Sequence, residues 1–244
     1  MTVNRTLQDL LRLAAQLVPG LTGIVREGEC EADYKALFTH WSASYPEAGR
    51  AYWSSRCWGI VIWQPVYLSV IGVHAAHASL SLTRIIQPID GGWTREVQLP
   101  DHAPMRGDPS VLIEHAAREI TAFCRLVREK LTPVIRLNPA MMNGTLADVV
   151  LAALLATRKA RPEWSDTHVQ TLGDQWLAAL DIAAHGGYFA FDRTDGSRAL
   201  ALERQTCCYH FRRRDGAMCS TCPRLDKHER IVRLNMERDA ALEA

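Results

Sequence analysis

Apolar residues recur at three- and four-residue steps along much of this chain, and the places where the rhythm breaks mark its turns. Leu7, Leu10, Leu11, Ala14 and Leu17 predict a short amphipathic helix stopped by Pro19-Gly20. Tyr34, Leu37, Phe38 and Trp41 share a face of a second helix within 32–45, ended by Pro46. From Ser110 to Leu131 the residues Ile113, Ala117, Ile120, Cys124, Val127 and Leu131 keep helical spacing, with Glu114, Arg118 and Glu119 on the opposite side. Further helices are predicted from Asn143 or Thr145 to Ala156, from Asp166 to Ala184 before Gly186-Gly187, and from Pro223 to Arg238. Two segments instead read as hairpins, one turning at Asp90-Gly91-Gly92 and one pairing 188–191 with 198–203 around Asp195-Gly196.

One stretch departs from amphipathic patterning. Between Cys57 and Thr83 there is no Asp, Glu, Lys or Arg. A membrane-spanning helix needs about 20 predominantly apolar residues, whereas Gln64 and Pro65 interrupt this run and His74 and His77 dilute its end. The expectation is a buried core helix, which leaves a peripheral contact with the inner membrane surface open.

Composition adds limits. The chain has 244 residues, 48% hydrophobic and 23% charged, which excludes dominant disorder. Lys and Arg total 28 against 27 acidic residues, so no global field draws in nucleic acid. Arg5, Asp9 and Arg12 interrupt the first twenty residues where an export signal would be unbroken, and the expected compartment is the cytoplasm.

The chemistry concentrates near the C-terminal end. Of seven cysteines, Cys207, Cys208, Cys219 and Cys222 crowd into one short segment, a distribution suited to metal rather than to a disulfide framework. Four thiolates satisfy iron-sulfur clusters or zinc. Structural zinc usually takes two similar Cys-x2-4-Cys knuckles, whereas one half here is a vicinal pair. Adjacent cysteines in an extended strand point to opposite faces, so the backbone must bend for both to serve one centre. Cys30, Cys57 and Cys124 are dispersed and read as small buried residues.

The segment from Arg204 through Cys207-Cys208-Tyr209 to Cys219-Ser-Thr-Cys222-Pro223 resembles the C-terminal signature of the FhuF-like ferric-siderophore reductases, a Cys-Cys-x10-Cys-x2-Cys set. The resemblance implies a [2Fe-2S] cluster held by Cys207, Cys208, Cys219 and Cys222, and one-electron reduction of siderophore-bound iron(III) in the cytoplasm. It divides the chain into a substrate-binding body, 1–200, and a [2Fe-2S] segment, 201–244. The expected fold is α+β: a mainly helical body with one or two short β-hairpins, then a cluster-binding loop plus helix. Upstream of the signature, the resemblance offers Asn143 and Trp176 as candidate family positions, without an alignment to place them.

Around the cysteines, Arg204, Arg212, Arg213, Arg214, Arg224 and Lys227 are placed to stabilise added negative charge or to dock an acidic partner, and they equally suit a solvated loop. Tyr209 joins them as a neighbour of the ligands. Trp53, Trp58 and Trp63, with Tyr52 and Tyr67, either fill the core or wall a pocket for a bulky chelate. His74 and His77 read as packed or solvent-edge histidines, and His210 as a minor candidate for a Rieske-type ligand. No G-x-G-x-x-G fingerprint occurs, so the electron is expected from an external donor, a ferredoxin or an NAD(P)H-dependent reductase. Two other readings remain: a zinc-binding four-cysteine interaction module, and a [2Fe-2S] electron carrier without its own substrate.

Overall fold

A computed structural model describes residues 5–26 and 32–242, leaving Cys30 outside the described residues. Helix α1 (Arg5–Leu17) precedes strand β1 (Gly23–Val25), helix α2 (Tyr34–Ser44) and the long helix α3 (Gly49–Ala75). Strands β2 (Ile89–Asp90), β3 (Trp93–Thr94) and β4 (Val97–Leu99) lead to α4 (Pro109–Leu131), α5 (Pro139–Thr157) and α6 (Asp166–Ala179). The hairpin of β5 (Tyr188–Asp192) and β6 (Arg198–Leu202) then delivers the chain to the cysteine loop, and α7 (Lys227–Leu242) follows. The architecture is the mainly helical α+β body expected.

Helix α3 is the axis of the molecule, packed most extensively against α5 and α4 and also against α2 and α1. It is apolar all round because neighbours surround it, and Trp58, Val61, Ile62, Val66, Val70 and Ile71 are all essentially inaccessible. Both α3 and α5 are long and apolar enough to cross a membrane, yet 83% of the apolar window containing α3 and 56% of that containing α5 is buried inside the protein. The polar residues of α3 are also satisfied internally. Gln64, fully buried, donates to the Arg95 carbonyl at 2.8 Å and accepts from Gln87 Nε2 at 3.0 Å, so the interruption seen in the sequence is a tether to the following segment. The helix continues through Pro65, whose carbonyl accepts from Ser69 Oγ at 2.9 Å.

Helix boundaries shift where capping chemistry outweighs periodicity. Helix α5 begins at Pro139 because Asn138 Oδ1 accepts from the Ala140 and Met141 amides and proline suits the first turn. Helix α6 stops at Ala179, short of the expected Ala184, because the chain enters the left-handed region at Asp181 (φ 56°). Helix α7 starts at Lys227 instead of Pro223, with Asp226 Oδ1 accepting the Glu229 amide at 2.8 Å.

The first hairpin is smaller than its pattern suggests. Gly91 and Gly92 (φ 56° and 79°) make the two-residue turn that β2 and β3 require, but the antiparallel ladder covers only Ile89–Thr94 and Asp90–Trp93. Strand β4 then leaves it and pairs in parallel with β1, Gly23 opposite Val97 and Val25 opposite Leu99. The turn is fastened to α2 by Trp41 Nε1, which donates to the Gly92 carbonyl at 2.8 Å, and β3 lies over α3 through Trp63 Nε1 to Thr94 Oγ1 at 3.3 Å. The second hairpin forms as expected. Phe189, Phe191, Ala199 and Ala201 on its inner face pack against Ile231 and Leu234 of α7, a separate small core beneath the cysteine loop.

Candidate metal centre

The cysteine loop, 203–226, is held from three sides. Toward α5, Arg204 Nε donates to Asp148 Oδ2 at 2.6 Å in a pair whose side chains are 14% and 8% exposed. One turn before Asp148, the bare face of Gly144 lets Thr206 sit directly against the helix, a position any side chain at 144 would occupy. Toward α2, Arg213 donates to Tyr45 Oη at 2.6 Å and to Asp215, and the Arg214 amide donates to Glu47 Oε1 at 2.9 Å. Toward α7, Ser220 Oγ donates to Glu237 Oε2 and Arg233 Nη1 to the Met218 carbonyl, at 2.9 and 2.8 Å.

These anchors bring all four C-terminal cysteines together. The bend that a vicinal pair requires falls immediately after it: Tyr209 adopts φ 56°, a left-handed conformation costing a non-glycine residue about 1–2 kcal/mol. In that conformation the Tyr209 amide donates to Cys207 Sγ at 3.4 Å, and the His210 amide bonds the Cys208 sulfur. Across the loop the Cys222 amide closes a tight turn on the Cys219 carbonyl at 3.0 Å. The four thiols are close enough to act on one another electrostatically: Cys207 feels Cys222 and Cys208, and Cys219 feels Cys208 and Cys222. Among the described residues no three His, Cys, Asp or Glu side chains converge on a single ion position. Four thiolates are the donor set of either a [2Fe-2S] cluster or a tetrahedral zinc ion.

The electrostatics favour thiolate at Cys208, whereas burial pushes the Cys207 thiol up. Cys208 is drawn below its usual value by the hydrogen bond from Cys219, with help against burial from the His210 amide and Arg204. Cys219, the donor in that contact, is correspondingly raised. Arg204 Nη1 also donates to Cys219 Sγ at 3.4 Å, so its guanidinium bridges Asp148 and the sulfur. Burial pushes Asp148 up to about 6 despite Arg204, and its Oδ1 has no partner. Cys57 and Cys124 contrast sharply: burial pushes both thiols up to about 12, as expected of inert core residues.

A cavity of about 370 Å³ opens on one edge of the sulfur group. Its floor is Cys208, Cys219 and Arg204. Its walls come from α3 (Tyr52, Ser55, Arg56, Gly59, Ile60, Trp63), with Trp93 from β3, Thr145 from α5 and His210. Burial keeps the His210 imidazole below its usual pKa. A larger hollow, about 610 Å³ between α1 and β1, is lined by no cysteine or histidine among the described residues and lies away from this chemistry.

Of the tryptophans expected to wall a pocket, Trp63 does so. Trp58 is a core residue whose Nε1 donates to the Met142 carbonyl, and Trp53 packs on Phe38 and donates to the Tyr45 carbonyl. Of the arginines, Arg204 alone among the described residues reaches a sulfur; Arg213 and Arg214 fasten the loop to α2, both over the Tyr45 ring. Arg212, Arg224 and Lys227 are exposed, lying over Tyr209, Phe211 and Phe189. His74 is buried, accepts from Trp176 Nε1 at 2.8 Å and is held down to about 4 by burial, while His77 meets Arg161. Trp176 thus serves the core, and Asn143 is half-buried on the α5 turn beside Gly144. Sequence reasoning missed Asp148, Arg56 and Trp93. Asp148 carried a signal, a lone carboxylate in the otherwise uncharged helix 139–157.

Residues 204–224 match the family model of the FhuF 2Fe-2S C-terminal domain, which indicates a [2Fe-2S] cluster as the cofactor of this segment. The matched stretch contains all four clustered cysteines and Arg204. No solved structure matches the chain significantly.

Proposed function

We propose that this protein is a ferric-siderophore reductase in which Cys207, Cys208, Cys219 and Cys222 ligate the cluster and the adjoining cavity receives the chelate. The observation that carries this reading is the position of the cavity, whose floor is made by two of the four cysteines. Its size falls within the usual range of ligand sites, about 300–1,000 Å³, so it accommodates a small chelate or one lobe of a larger one. When bound, the cluster supplies single electrons. Siderophores hold iron(III) through hard oxygen donors, and one electron converts it to iron(II), of lower charge and weaker hold, so the metal leaves without acid, base or nucleophile from the protein.

The protein's own residues set the terms of that transfer. Arg204, oriented by Asp148, places a cation and an N–H on Cys219 and so stabilises added negative charge beside the sulfur. The Tyr209 and His210 amides do the same at Cys207 and Cys208. Trp63 and Trp93 supply aromatic walls beside the cysteines. We place the site in the cytoplasm, where a reducing environment keeps cluster-ligating cysteines from forming disulfides.

Reduction of the protein anaerobically, removal of excess reductant, and addition of a panel of ferric chelates with an iron(II) trap tests the reading. Stoichiometric iron(II) with rates differing at least about tenfold between chelates of similar potential is expected of a site that binds them. A rate that follows only the chelate potential would mark a carrier with no substrate of its own, and a colourless, sulfide-free protein would mark a zinc module.

The donor is proposed to be an acidic electron-transfer protein docking at Arg212, Arg224 and Lys227, none of which forms an ion pair among the described residues. Electrostatic steering of this kind raises association rates about 10–1,000-fold at low salt. The rate of cluster reduction by an acidic ferredoxin is therefore expected to fall on the order of tenfold as salt is raised, and Arg212→Glu with Arg224→Glu to flatten that dependence. Salt-independent reduction would place the donor elsewhere.

A further inference from the structure

Arg56 occupies a position that the electron-transfer chemistry does not explain. It projects from the N-terminal third of α3 into the corner formed by two nearly perpendicular indoles, 4.5 Å from the Trp41 ring and 4.3 Å from that of Trp93. None of its N–H groups has a protein acceptor among the described residues, and its buried Nε is unpaired. Two arginines of the cysteine loop behave differently: Arg204 is neutralised by Asp148 and Arg213 by Asp215. No Asp or Glu is present in the cavity wall, and the anionic neighbour that Arg56 feels is the Cys208 sulfur on the floor, which leaves its N–H groups unpaired. Beside it the buried Tyr52 hydroxyl faces the Arg213 guanidinium without forming a hydrogen bond of good geometry.

A half-buried guanidinium with no acceptor is costly unless a ligand completes it. The indoles fix its plane by cation–π contact, leaving the edge of the fork to bond a flat pair of oxygens. Trp93, 43% exposed, extends the same wall as an aromatic surface.

We propose that Arg56, seated between Trp41 and Trp93, selects anionic oxygen-donor ferric chelates, such as catecholate or hydroxycarboxylate complexes, over neutral hydroxamate complexes. This rests on the reductase reading and names the substrate class it prefers. The guanidinium bonds chelate oxygens that carry the excess negative charge, and offsets their repulsion from the thiolate-rich floor. It acts at binding, so it discriminates before any electron moves.

Gallium(III) complexes separate binding from reduction, since gallium(III) matches iron(III) in charge and is not reduced. The cluster-loaded full chain is titrated, by tryptophan fluorescence at fixed ionic strength, with gallium tris-catecholate (charge −3) and with neutral gallium tris-acetohydroxamate. The anion is expected to bind about 10- to 100-fold more tightly, the factor carried by a charge-assisted hydrogen bond. Arg56→Gln is expected to abolish most of that preference by weakening the anion alone, and Arg56→Lys to retain part of it. Equal binding of the two complexes by the wild type, or equal weakening of both in Arg56→Gln, overturns the assignment while leaving the reductase reading in place. A cluster midpoint potential that shifts in Arg56→Gln with the binding preference unchanged would make Arg56 a tuning residue and likewise overturn it. Absence of binding by either complex overturns the reductase reading together with this inference.

Discussion

Cys219→Ala and Cys219→Ser are expected to yield colourless protein with neither stoichiometric iron nor inorganic sulfide, whereas Cys57→Ser retains both. Cys219 is the sulfur at which the most structure converges: it contacts Cys208, accepts from Arg204 and closes the turn to Cys222. Loss of one thiolate leaves a two-metal core one ligand short in a cavity-facing position where water enters. The consequence extends beyond colour, because coordination free energy is also folding free energy when the ligands come from a loop. Residues 203–226 contain a 3-10 turn at His210–Arg212 and otherwise mostly turns and extended chain. Without the metal core, that loop keeps only its anchors to α5, α2 and α7. Amide exchange in this segment is therefore expected to rise steeply in Cys219→Ala while α3 and α5 stay protected. Cys57, fully buried on α3 with its thiol pushed up to about 12, serves as the control. A normal visible spectrum in both Cys219 variants would contradict the ligand assignment.

The second large effect lies at the Asp148–Arg204 pair. Asp148→Ala strands a guanidinium that is 14% exposed, and breaking a buried pair from one side costs about 3–5 kcal/mol. For a chain of this size that corresponds to a fall in unfolding midpoint on the order of 10 °C. Replacing both partners, Asp148→Leu with Arg204→Met, is expected to restore most of the stability, since well-packed apolar residues often match a buried ion pair. The double variant also separates structure from electron transfer. It lacks the cation and the N–H on Cys219 Sγ, so its cluster midpoint potential is expected to fall even though the fold recovers. A double variant with unchanged potential would reduce Arg204 to a structural clamp.

Asp148 also gives stability a pH dependence of unusual sign. Its carboxyl titrates at about 6 in the fold and at about 3.9 when unfolded, so between these values the folded state holds the extra proton. The contribution of this group is greatest below about pH 4 and declines as pH rises to about 6, by on the order of 2–3 kcal/mol. Most native carboxylates act oppositely. Comparing midpoints of wild type and Asp148→Asn across this window isolates the term, and a wild-type advantage that grows with pH would refute it.

The four-cysteine signature was legible because its spacing is a property of the chain, and the family match at 204–224 falls on the same residues. Helices α1, α2 and α4 and the hairpin β5–β6 were legible for a related reason: their periodicity, caps and turn residues act within one element. The uncharged run after Cys57 was correctly read as core, since Gln64 and Pro65 break a membrane pattern but not a helix surrounded by partners.

The cavity was not legible. Its wall combines Arg56 and Trp63 from α3, Trp93 from a two-residue strand and Thr145 from α5, residues that adjoin the cysteines only after packing. Trp53, Trp58 and Trp63 look equivalent in the sequence, and rotation of α3 against α5 and the hairpin decides that only Trp63 faces the sulfurs. The parallel pairing of β1 with β4 was hidden likewise, because it joins strands more than seventy residues apart. What the sequence determined by itself is a four-thiolate centre, since ligand identity and spacing are local, and the family match at 204–224 makes it [2Fe-2S] rather than zinc. Only the tertiary structure decided which arginine reaches the sulfurs and which stays free for a ligand, because those outcomes depend on burial and approach between distant segments.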